Sequence, residues 1–107
     1  MMKLTEAVSA LAALAQEHRL AIFRVLVRAG PDGISAGDVA REVGLAPATL
    51  SFHLRTLSQA GLASSQREGR TIYYRASYDE MSSLLHYLTD DCCCGACGAF
   101  SLKEANG

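Results

Sequence analysis

The hydrophobic period of this 107-residue chain changes at Gly61. Before it, apolar residues recur at the three-to-four-residue spacing of helices. After it, "LASSQREGRTIYYRA" (Leu62 to Ala76) is rich in β-branched and aromatic residues, and Ile72 and Tyr74 alternate with Tyr73 and Arg75. A helical stripe laid out as a strand, or the reverse, leaves apolar side chains on both faces, so the chain reads as helices followed by a hairpin. Glu68-Gly69 supplies the hairpin turn.

Four helices are expected before the hairpin. "LTEAVSALAALAQ" (Leu4 to Gln16) places Leu4, Ala7, Val8, Leu11, Leu14 and Ala15 on one stripe, and "EHRLAIFRVLVRAG" (Glu17 to Gly30) does so with Leu20, Phe23, Leu26 and Val27. Gly30-Pro31-Asp32-Gly33 is a stop and turn signal. "SAGDVAREVG" has Ser35 as N-cap, Asp38 in its first turn and Gly44 at its close. "APATLSFHLRTLSQAG" has Pro47 in its first turn, Leu50, Leu54 and Leu57 facing the core, and Gly61 as its stop. Gly44-Leu45-Ala46 joins these two into a helix-turn-helix. A last helix, "YDEMSSLLHYLTD", carries Met81, Leu84, Leu85 and Leu88. The expected fold is mainly α with a small β-hairpin, in the order α-α-α-α-β-β-α: a winged helix-turn-helix. Residues 1–91 form the folded domain, and residues 92–107 a cysteine-rich loop and tail.

Half of the residues are hydrophobic, enough for a packed core, yet the apolar runs are short and interrupted by charge. No membrane span is expected. The opening "MMKLTEAVSALAALAQEH" has a single basic residue before acids and lacks the pattern of a signal peptide, which makes the expected location cytoplasmic. Thiols stay reduced there, so clustered cysteines point to metal, metalloid or redox chemistry rather than to structural disulfides. No acid–base constellation or nucleotide-binding loop suggests an enzyme.

The formal net charge of −1 hides an uneven distribution. Residues 41–75 hold five arginines against two acids, while residues 76–107 hold one lysine against five acids. Local positive charge in the middle third is what a phosphate backbone would meet. With Leu50, Leu54 and Leu57 turned inward, the outer face of that helix shows Ala48, Thr49, Ser51, Phe52 and Arg55. Small residues near its start permit approach to a major groove, hydroxyls and Arg55 reach base edges or phosphates, and Phe52 suits a thymine methyl. At the hairpin tip, Arg67 and Arg70 are placed for phosphates or the minor groove. His53 on the same helix reads, from its type alone, as a buried, satisfied histidine. The expected partner is double-stranded DNA.

"ALAQEHRLAIFRVL" and "TLSFHLRTLSQAGLASSQREGRTIYYRA" carry the patterns "RL.I...L" and "S.HL..L..AGL....REGR..YY". In these the chain resembles the ArsR/SmtB family of bacterial metal-responsive repressors over nearly its whole length. The resemblance implies a winged-helix homodimer on an inverted-repeat operator, with the first and last helices forming the dimer interface and ligand binding weakening the DNA complex. Ser51 and His53 fall on the family's "S.H" pattern, which implies a phosphate contact by His53 or a brace of the helix against the wing; Phe52 stands where many members carry Gln or Arg. Many members bind zinc across the last helices through Asp and His. Here Asp79 and His86 are seven residues apart with no second histidine after them, which argues against zinc there. Another family site uses cysteines in the first helix of the helix-turn-helix, and "SAGDVAREVG" has none.

All four cysteines lie in "DDCCCGACG". Thiolates select soft ions, and trivalent arsenic or antimony forms pyramidal three-thiolate complexes that tolerate closely spaced donors. Gly95 and Gly98 permit a tight backbone path. Some family members place a Cys-Cys pair and a nearby third Cys just after the last helix and respond to arsenite. By that resemblance Cys92 and Cys93 are the pair, Cys97 the third ligand, and Cys94 an alternate. A methylated trivalent arsenical needs only two thiols and is a further candidate. Four other readings stay open at this point: structural zinc, which wants two separated Cys-x-x-Cys elements; a redox or persulfide switch at Cys94 and Cys97; cadmium, lead or bismuth at the same thiols; and incidental cysteines in a tail.

Overall fold

Three leucines on one stripe, Leu50, Leu54 and Leu57, share a core with Ile22, Leu26, Val39 and Leu62, and all seven are fully buried. The computed structural model describes residues 2–90. The helices are α1 (Leu4–Leu14), α2 (Glu17–Ala29), α3 (Ala36–Val43), α4 (Pro47–Gln59) and α5 (Tyr78–Thr89). Three antiparallel strands, β1 (Ile34–Ser35), β2 (Ala63–Glu68) and β3 (Thr71–Ala76), lie in the order β1-β3-β2. This is the expected winged helix-turn-helix with one addition. The two-residue β1 pairs Ile34 with Tyr74 and Ser35 with Tyr73, which makes β3 the central strand and ties the entry to α3 to the wing.

Local chemistry accounts for most boundaries. The Gln16 side chain caps α2 by accepting from the Arg19 N–H at 2.9 Å, and the Ser77 hydroxyl caps α5 by accepting from the Glu80 N–H at 3.2 Å. The hairpin runs in register from Ala63↔Ala76 to Glu68↔Thr71, so Gly69 and Arg70 form the two-residue turn, one position later than the sequence pattern places it. Gly69 sits at φ +66°, a conformation that glycine adopts without a Cβ clash. The Tyr78 hydroxyl donates to the Val27 carbonyl at 2.9 Å, pinning the start of α5 to the end of α2.

The stripe expected on α1 is kept only at Ala7, which is buried, and Leu14, which packs against the core. Ala7, Ala10 and Ala13 are buried, whereas Leu4, Val8 and Leu11 are 64%, 56% and 42% exposed. Methyl side chains let α1 lie close against α2 and α4, and the larger residues are left outside. On α2, Ile22 and Val25 join Phe23 and Leu26 in the core while Leu20 is exposed. On α5 only Leu84 is buried; Leu85 and Leu88 are exposed.

Leu54 is 1% exposed at the centre of the α4 stripe. Leu54→Ala should therefore cost about 3 kcal/mol of stability, measured by chemical denaturation.

Candidate nucleic-acid interface

The turn before α4 is built by capping. The Ser35 hydroxyl accepts from the Asp38 N–H at 3.1 Å at the start of α3. At its end Gly44 is left-handed, φ +71°, and the N–H groups of Gly44 and Leu45 both donate to the Ala40 carbonyl, at 2.9 and 3.2 Å. Pro47 then opens α4, where a missing N–H costs nothing. Burial of Leu50, Leu54 and Leu57 fixes the rotation of α4 about its axis. As a result Ala48, Thr49, Ser51, Phe52 and Arg55 all lie on its exposed side, with Phe52 56% exposed. The Phe52 ring meets the His53 ring edge-on, centroids 5.4 Å apart, and otherwise faces solvent.

Arg67 and Arg70 are exposed at the tip of the wing. The other two arginines of the basic segment are engaged locally. Arg41 pairs with Asp38, and Arg75 donates to the Gln66 side chain at 2.8 Å and to the Pro31 carbonyl at 3.4 Å. Among the described residues, Arg55, Arg67 and Arg70 are thus the cations of this segment left without an ion pair or a bracing contact.

His53 is placed apart from the other seven. It is 7% exposed on the inner side of α4, and its partner is α2 rather than the wing. Arg19 Nη1 lies 3.4 Å from His53 Nδ1, and the His18 ring centroid is 5.8 Å from its own. Burial holds the His53 pKa below its ordinary value, and the charges of Arg19 and His18 push it the same way. Sequence reasoning does not single out Arg19; its only signal there is an arginine inside the "RL.I...L" pattern.

Among the described residues no three His, Cys, Asp or Glu side chains are placed to hold a metal ion. His86 and Asp90 share a hollow of about 210 Å³ with Met2, Ser82, Ser83 and Tyr87, and no third ligand joins them. Asp79 is not part of it. Cys92, Cys93, Cys94 and Cys97 lie outside the described residues. No described helix is long and apolar enough to cross a membrane.

A helix-turn-helix domain model matches residues 14–66. The chain is 36% identical over 73 residues to the uncharacterized regulator YceK of Bacillus subtilis, covering 68% of this chain and 72% of that one. The structure of an ArsR-like transcriptional regulator from Rhodococcus sp. RHA1 superposes with a TM-score of 0.70 at 33% identity, covering 78% and 76% of the two chains. The chain belongs to the ArsR/SmtB family. Its relatives are transcriptional regulators rather than enzymes, and the chain is a DNA-binding transcriptional regulator of that family. Two further similarities concern assembly and metal resistance. A winged helix-turn-helix domain from Mycobacterium bovis, described as homodimeric, is 28% identical with a TM-score of 0.67 over 82% of each chain. The cadmium resistance regulatory protein CadC of Listeria innocua is 34% identical over 61 residues, 57% of this chain and half of that one.

The depressed His53 pKa gives a pH expectation. The unfolded chain binds the proton more readily than the folded one, so stability is full above the ordinary histidine value near 6.5 and is lost as pH falls below it. His53→Gln should remove that part of the acid sensitivity, compared by denaturant unfolding at about pH 5.5 and about pH 7.5.

Proposed function

We propose that the protein is a homodimeric repressor that holds operator DNA with α4 and the wing and releases it when trivalent arsenic or antimony binds the C-terminal thiols. The observation that carries the DNA contacts is the outer face of α4, where Thr49, Ser51, Phe52 and Arg55 stand exposed above a buried leucine stripe. Hydroxyls and a guanidinium on an exposed helix face suit base edges and phosphates, and an exposed phenyl suits a thymine methyl. Arg67 and Arg70 add phosphate contacts from the wing. His53 acts from behind the helix in this reading and is not one of the contacts.

The dimer follows from apolar surface. Leu4, Val8 and Leu11 run at i, i+4, i+7 on α1, and Leu85 and Leu88 add to them on α5, which packs against α1. A second copy covers this face and sets the spacing of two α4 helices along the DNA, in keeping with the homodimeric Mycobacterium bovis neighbour.

The sensing proposal rests on donor chemistry. Cys92, Cys93 and Cys97, with Cys94 as alternate, supply the three soft thiolates that a pyramidal trivalent centre takes. They follow directly on α5, so binding there acts on the proposed dimer face. A tenfold loss of operator affinity requires the ligand to prefer the DNA-free form by about 1.4 kcal/mol. The similarity to CadC favours a second reading, in which a divalent soft metal such as cadmium takes the same thiols.

Two experiments test these assignments. Arg67→Ala with Arg70→Ala should weaken duplex DNA binding and lower the slope of log K against log salt by about 1 for each phosphate no longer neutralised. Cys92→Ser with Cys93→Ser should leave tight DNA binding that no longer responds to arsenite; release of that variant by arsenite would show the site lies elsewhere.

A further inference from the structure

We infer that Arg19 is a positioning residue for DNA binding: it ties the end of α1 to His53 on the inner side of α4 and so steadies, relative to α1, the outer face that the leucine core presents. This rests on the reading of α4 as the DNA-contacting helix. Three contacts converge on the one residue. The Arg19 backbone N–H donates to Gln16 Oε1 at 2.9 Å, Nε donates to the Ala13 carbonyl at 2.7 Å, and Nη1 lies 3.4 Å from His53 Nδ1. Ala13 stands in the last turn of α1, the helix whose opposite face carries Leu4, Val8 and Leu11. A single guanidinium therefore links the helix of the proposed dimer interface to the helix of the proposed DNA interface.

The chemistry of the link makes it sensitive to protons. Arginine offers donors only, so the bond requires His53 to be neutral with an unprotonated Nδ1. Protonation turns that acceptor into a donor and places a cation beside the guanidinium. The charged and titratable groups facing His53 are Arg19 and His18 of α2. Glu42 of α3 lies beyond them, in the hollow that His18 also lines. From α1 the groove around Arg19 receives Ser9, Ala12 and Ala13, none of them ionisable. No carboxylate of these elements touches the imidazole to offset the added charge.

The sign of the effect separates this role from a phosphate contact. A histidine that touched phosphate would strengthen DNA binding when protonated, whereas one that accepts from Arg19 weakens it.

The test measures affinity of the full chain for a duplex selected by the protein from a random pool, by fluorescence anisotropy at constant ionic strength. Between about pH 8 and about pH 5.5 the wild type should lose about threefold more affinity than His53→Gln, which keeps an acceptor but cannot titrate. His18→Gln should retain the wild-type loss. Arg19→Lys keeps the charge without the fork that reaches two acceptors, and should bind more weakly at every pH while thermal melts show it folded. Affinity that rises on acidification relative to His53→Gln, or profiles that run parallel, would overturn the inference. So would a folded Arg19→Lys that binds as wild type; if that variant does not fold, the His53→Gln comparison decides alone. Arg55→Ala separates the two claims. It weakens binding at every pH if α4 meets DNA, and wild-type affinity in that variant would overturn the α4 reading and this one with it.

Discussion

The rotation of α4 about its own axis is the constraint on which the functional surface depends. It is set by apolar burial: Leu50, Leu54 and Leu57, each 2% exposed or less, lock one side of the helix against the core of α2 and α3. Turning α4 by one residue, about 100°, would lift leucines into water at roughly 2 kcal/mol each. The face carrying Thr49, Ser51, Phe52 and Arg55 is therefore presented by the core rather than by contacts of its own. The capped turn at Gly44 and the wing after Gly61 then fix where the helix begins and where Arg67 and Arg70 go.

The same division of surface explains the unburied leucines. A domain of this size buries a limited share of its area. Alanines take the inner side of α1, which brings that helix close, and the side chains with more apolar area are left on α1 and α5. Arg19 stands between the two surfaces, bonded to the end of α1 on one side and facing His53 of α4 on the other. The proposed dimer face and the proposed DNA face are thereby joined through a polar contact as well as through the core.

Local periodicity makes α3, α4 and the hairpin legible in the sequence, because in each the apolar pattern and the capping residues agree. Ser35, Gly44 and Pro47 do in the structure what their positions suggest. On α1 the pattern is ambiguous: alanine and leucine are both apolar, so periodicity alone does not say which stripe faces the core. Ala7, Ala10 and Ala13 win because only small side chains fit the close approach. The strand β1 has two residues, too few for any period, and exists through its pairing with Tyr73 and Tyr74. His53 sits on a recognisable motif, but its neighbour Arg19 is 34 positions away, a relation no local pattern contains.

Release of DNA by a thiol-bound trivalent metalloid is tested most directly by the response of the wild-type DNA complex to metals. A palindromic operator fragment, bound under reducing conditions and followed by fluorescence anisotropy, would be titrated with arsenite, antimonite, zinc and cadmium. Stoichiometric release by arsenite or antimonite, and none by zinc, is the expected result. Release by cadmium or zinc alone, or release only on oxidation, would contradict it.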